Sequence, residues 1–146
     1  MEAHDILFKG YRFKPKKVLK MDIVSFFGSA ISPKIRQSKN KYIQIGCGNT
    51  IRENFENLDF FPMRFKEIFS CKHICHDLRK PLPYEDNVFE GAYSEHTLEH
   101  LYYEEAINLL MEIKRVLKPN CVFRCTVPDL EKYIKFYNND LKDDFF

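Results

Sequence analysis

From Lys41 onward, short apolar runs alternate with segments of helical spacing, and a turn or an acid closes each run. That alternation constrains the chain more than any other feature. K-Y-I-Q-I reads as a strand and G-C-G-N as a tight turn. F-E-N-L-D reads as a second strand ending on Asp59, and H-I-C-H as a third, with Asp77 just beyond it. V-F-E-G-A-Y reads as a fourth strand, followed by Ser94, Glu95 and His96. A helix is predicted from about Tyr103 to Leu117, on the stripe Ala106, Ile107, Leu110, Ile113 and Leu117. K-P-N should stop it, C-V-F-R-C-T-V should form a fifth strand, and Pro128 and Asp129 should open a further helix. A short helix is also expected from Pro62 to about Phe69, between the second and third strands. Strands alternating with helices imply a mostly parallel, Rossmann-like sheet in a three-layer α/β sandwich. Ligands of such sheets bind beyond the carboxyl ends of the strands, where the strand order reverses.

Composition narrows the class. The chain has 146 residues and is 45% hydrophobic, enough for one folded domain. It holds no apolar run long enough to span a bilayer, and its first residues do not read as a secretory signal. Five cysteines at irregular spacing suggest reduced thiols, hence a cytoplasmic protein. Charge is uneven: residues 1–41 carry a net +7 and the remainder −5. Residues 1–40 therefore read as a basic arm with an amphipathic helix at 17–31, and residues 41–146 as the domain proper. The plain reading of the arm is a solvated segment whose helix docks on the body. A sharper one is an anionic surface or substrate, including peripheral contact with a membrane. No motif marks specific binding of nucleic acid.

Two patterns invite metal chemistry. His96, Glu99 and His100 spell H-x-x-E-H, a zinc-protease spacing. It lacks a third ligand on a later helix and follows a strand directly, where a cofactor pocket is expected. C-K-H-I-C-H packs Cys71, His73, Cys75 and His76 together, but alternation along a strand turns His76 away from the others. No metal site is assigned.

The strand ends carry the chemistry. Gly46-Cys47-Gly48 permits a tight turn and close approach of a ligand to the backbone. Asp59 can accept the hydroxyls of a ribose. Together with H-D-L-R-K-P-L-P-Y-E-D-N-V-F-E-G-A-Y, S-E-H-T-L-E-H-L and L-K-P-N-C-V-F-R-C-T-V-P-D-L, these segments resemble the class I methyltransferases that use S-adenosylmethionine. The likeness is to the small bacterial branch grouped with type 11 domains, and it runs from about Lys41 to Tyr137. It implies sheet order 3-2-1-4-5. Gly46, Cys47 and Gly48 would lie under the methionine and ribose of the cofactor, and Asp59 would hold the ribose hydroxyls. Asp77 would meet the adenine amino group and Leu78 would flank the ring. Ser94 and Glu95 would line the methionine end, and His96 would be the base for an acceptor that must lose a proton. The acceptor suggested is a small molecule or a saccharide-type precursor.

There are departures. Gln44 stands where many members carry an acid, Asn54-Phe55 replaces Gly-Trp, and Asn120-Cys121 replaces a glycine pair. Asn tolerates the left-handed backbone such positions ask for. Only eleven positions separate Gly48 from Asp59, against about twenty in dinucleotide enzymes, which argues against an NAD oxidoreductase and for a vestigial first helix. The family usually continues into two more strands, so the fifth strand would be a bare, truncated edge. Either the chain is part of a longer protein, the favoured reading, or a partner such as a second copy covers that edge. The alternative function is accordingly a non-catalytic domain that binds the cofactor weakly or serves as an interaction module.

Overall fold

The computed structural model describes residues 15–31, 34–61 and 72–138. The helix expected from Pro62, Cys71, residues 1–14 of the basic arm and the terminal D-D-F-F lie outside these. The elements in chain order are α1 (Pro15–Ile31), β1 (Tyr42–Ile45), β2 (Phe55–Asp59), β3 (Ile74–Cys75), β4 (Phe89–Glu95), α2 (Tyr103–Val116), β5 (Leu117–Thr126) and α3 (Leu130–Tyr137). The five strands form one parallel sheet in the order 3-2-1-4-5. This is the Rossmann-like α/β sheet expected from the alternation. The order reverses between β1 and β4, and β5 is an edge.

Burial decides which face each strand residue serves. Ile43, Ile45, Leu58 and Ala92 sink into a core closed by Leu109, Ile113 and Val116 of α2. The inward stripe of α2 is therefore turned from the expected one: Ile107 is exposed and Leu109 is buried instead. Leu117 belongs to β5, because K-P-N does not form a separate turn. The strand starts directly after the helix, and the register shift between Phe89 and Gly91 absorbs the irregularity. Asn120 there has φ 62°, and Asn54 before β2 has φ 63°, the left-handed backbone that Asn accepts. On the opposite sheet face, Tyr42, Tyr93, Val122 and Arg124 lie over β1, β4 and β5, and Val122 is 71% exposed.

The link from β1 to β2 has no helix among its residues. It turns at once, with the Thr50 N–H donating to the Cys47 carbonyl at 2.9 Å. The Asn57 side chain holds the turn, accepting from the Arg52 N–H and donating to the Arg52 and Phe55 carbonyls at 2.9–3.0 Å. A buried amide does here what a helix does in longer links. α1 lies against the ends of β2 and β3. Gly28 of α1 sits against the Phe61 ring, where any Cβ would stand 2.4–2.6 Å from ring carbons. No helix of the described residues is long and apolar enough to cross a membrane.

Candidate cofactor site at the strand ends

A cavity of about 390 Å3 opens at the carboxyl ends of β1, β2 and β4, where the strand order reverses. Of the predicted residues, Gly46, Gly48, Asp59, Asp77, Leu78 and His96 line it. Met21 of α1, Phe60, Arg79, Thr97 and the start of α2 complete the wall.

The glycines differ in purpose. Gly46 has φ 69°, and a Cβ on it would stand 2.0 Å from the Thr97 hydroxyl oxygen. Thr97 is buried and donates to the Ile45 or Glu95 carbonyl, at 3.2 and 3.1 Å, so it pins β1 to the end of β4 beneath the turn. Gly48 has φ 54°, and a Cβ there would meet nothing within 4 Å. Its backbone faces open space on the cavity side, and its N–H donates to Oδ2 of Asp59. Oδ1 of Asp59 accepts from the Phe60 N–H at 2.6 Å. The turn and the acid of the second strand are thus one unit, with the carboxylate fixed by two backbone donors.

Asp77 is only 1% exposed. Burial alone would raise its pKa, but bonds from the Arg79 side chain and from Ser25 outweigh this and hold it below the ordinary carboxylate value. The Arg79 guanidinium bonds both oxygens at 2.9 Å, and the Ser25 hydroxyl of α1 donates to Oδ2. Arg79 also reaches Asp22 of α1 at 2.9 Å. With the Arg79 backbone N–H on Oδ1 as well, Asp77 accepts two bonds on each oxygen, where Asp59 accepts one, and the expected adenine contact meets a fully engaged carboxylate. Next to it, burial lowers the pKa of His76, outweighing the nearby backbone of Lys80 and Pro81 and the charge of Asp77, which raise it.

Three predicted residues do not put their side chains into the cavity. β4 runs two residues further than expected, so Ser94 and Glu95 are still in the strand. Alternation sends Ser94 inward, fully buried with its hydroxyl unbonded among the described residues. Glu95 goes to the opposite face, where it accepts from the Tyr93 hydroxyl at 2.9 Å and pairs with Arg52 at 3.8 Å. Tyr93 lies in a second concavity there with Tyr42, Phe55 and Arg124. The Cys47 side chain is buried, its thiol 3.6 Å from the Gly48 carbonyl.

His96 sits in left-handed backbone, φ 50°, and lines the cavity. Its Nδ1 lies 3.2 Å from Oε1 of Glu99. Glu99 and His100 fall in a single 3-10 turn, Leu98–His100, so His96 and His100 are not stacked on one α-helical face as the zinc-protease pattern needs. Thr97 in the cavity wall and Glu99 beside His96 are the neighbours that sequence reasoning did not assign. H-x-x-E-H was the signal for Glu99; Thr97 left none, since its importance comes from a contact across the sheet.

The family model of the methyltransferase domain matches residues 18–125, a span that starts inside α1. Against curated proteins the sequence has no significant match. Among solved structures, the PH0226 protein of Pyrococcus horikoshii OT3 is similar over 95% of this chain and 67% of its own, at 17% identity and TM-score 0.52. The cyclase SpnF is matched over 81% of this chain and 48% of its own, at 20% identity and TM-score 0.46. A chain of the complex between the Haloferax volcanii Trm112 methyltransferase activator and a methyltransferase gives 95% and 67%, at 15% identity and TM-score 0.47. This chain thus spans about two thirds or less of the length of these structures. The first likeness agrees with the fold described above, and the domain match covers most of the chain: the protein belongs to the methyltransferase domain family.

Proposed function

We propose that this chain is an S-adenosylmethionine-dependent methyltransferase whose cofactor occupies the cavity at the strand ends. The observation that carries the reading is the union of the Gly46–Gly48 turn with Asp59, a carboxylate held at the cavity wall by the Gly48 N–H. Such a carboxylate suits a vicinal diol, and Gly48 leaves room for a ligand against the backbone. Phe60 and Leu78 offer apolar walls for a purine. When bound, the cofactor supplies an electrophilic methyl group on a sulfonium. The protein's part is to align an acceptor with it, which accounts for much of the acceleration in a direct transfer.

In this reading His96 takes a proton from the acceptor. Glu99 accepts from its Nδ1–H, which leaves Nε2 as the basic nitrogen of a ring that lines the cavity. The acceptor proposed is a hydroxyl-bearing small molecule or saccharide. Thiols at Cys121 and Cys125 fit the reducing cytoplasm.

A second reading is favoured by the engagement of Asp77 with Arg79 and Ser25: a domain that binds the cofactor weakly and does not turn over. Calorimetric titration with S-adenosylmethionine and S-adenosylhomocysteine tests the cofactor site, and turnover of the first to the second by the same chain separates the readings. The methyltransferase reading expects binding of both, lost in Asp59→Ala. A folded chain that binds neither would reject it.

A further inference from the structure

We propose that the outward face of α1 docks the protein on an anionic lipid surface beside the mouth of the cofactor cavity. α1 carries apolar residues on both sides. Its inward side sets Val24, Ser25 and Gly28 against the body, with Ser25 on Asp77 and Gly28 on Phe61. Its outward side carries Leu19, Ile23, Phe26, Phe27 and Ala30, recurring at i, i+4, i+7, i+8 and i+11, which is one face of a helix. Leu19, Ile23, Phe26 and Phe27 are 48–70% exposed. Two phenylalanines packed edge to face, 5.5 Å between centroids, sit at the centre of that face. Large apolar groups so arranged mark a surface that something covers.

Charge selects the occupant. From 19 to 36 the described cations are Lys20, Lys34 and Arg36, of which Arg36 faces His76 of the body, against a single acid, Asp22, which Arg79 already neutralises. Lys20 and Lys34 are exposed. A second copy is a poor cover, because a two-fold contact would set the same lysines against each other. An anionic bilayer takes both features at once: phenylalanine, leucine and isoleucine enter the headgroup boundary and the lysines meet the lipid phosphates. The helix is too short and too charged to span, so it lies in the interface plane. Because α1 is tied to the cavity by Met21 in its wall and by Asp22 on Arg79, the bilayer would lie next to the site.

Co-sedimentation of the full chain with vesicles tests this. Vesicles of phosphatidylglycerol and phosphatidylcholine are compared with phosphatidylcholine alone, at low and raised salt. The expected result is partition onto the anionic vesicles, weakened by salt. Phe26→Asp with Phe27→Asp lowers partition more than about tenfold. Lys20→Glu also weakens it, while Leu130→Asp with Ile134→Asp, on the equally exposed face of α3, leaves it unchanged. Thermal midpoints confirm that each variant is folded. The proposal is overturned by absence of partition, by equal partition onto neutral vesicles, by equal loss in the α3 variant, or by a dimer in light scattering that requires Phe26. Cofactor binding measured without vesicles reports separately on the cavity, so failure of one idea does not mimic failure of the other.

Discussion

Gly46 carries two constraints that no other residue type satisfies together. Its backbone is left-handed, and the Thr97 hydroxyl occupies the space a Cβ would need. Gly46→Ala should therefore lower stability by about 3 kcal/mol, the sum of backbone strain and overpacking. In Gly46→Ala with Thr97→Ala, the hydroxyl and methyl contacts go while the 2.8 Å approach to the Cβ of residue 97 stays, so the loss from the glycine change should shrink to about 2 kcal/mol. Double-mutant analysis of denaturant midpoints checks this: additive losses would show that Thr97 is not the obstacle. Gly48 behaves differently, since its missing side chain leaves open space. The pair was legible in the sequence as a turn. The division of labour within it was not, because it depends on a threonine 51 positions away.

At the scale of elements, the clamp between α1 and the end of β3 is where pH acts. Burial lowers the pKa of His76 below its ordinary 6.5, with Asp77 and Arg36 the charged groups facing it. The unfolded chain then binds the extra proton first, so stability is full above about 6.5 and falls as pH drops toward the folded-state value. The pKa of Asp77 lies below its ordinary 3.8, so a second loss begins below that and takes with it the Arg79 and Ser25 bonds that hold α1. Thermal midpoints from pH 7.5 to acid should decline in these two windows, with the first removed by His76→Gln; a flat profile through the first window would contradict the burial argument. Periodicity exposed these elements unevenly. Strands β1 and β2 and helix α2 were readable because alternation and 3.6-residue spacing are strong in short windows. The entry into β5 was misread because Lys118-Pro119-Asn120 has turn composition, yet Asn120 serves a bulge within a strand. The end of β4 was placed two residues early because Ser94 and Glu95 are polar. The arm helix was expected, but its coupling to Asp77 was not, since a serine hydroxyl 52 positions from its partner leaves no local signal.

At the scale of the whole molecule, two concavities among the described residues bear on function, one at the strand ends and one on a sheet face. One joins Gly46, Gly48, Asp59, Leu78, His96 and Thr97 at the strand ends. The other sets Arg52 4.2 Å above the Tyr93 ring, with Arg124 at 6.0 Å, on the face away from α2. Both could take a small molecule, but only the first has the acid and glycine turn that a nucleoside needs, and it lies where an open α/β sheet binds its ligands. The central claim is that the cofactor lies there. Backbone amide shifts recorded by NMR while S-adenosylhomocysteine is added would locate it directly. The account predicts the largest changes at Gly46 to Gly48, Asp59, Phe60, Leu78 and His96 to Thr97. Changes centred on Arg52, Tyr93 and Arg124 would contradict it.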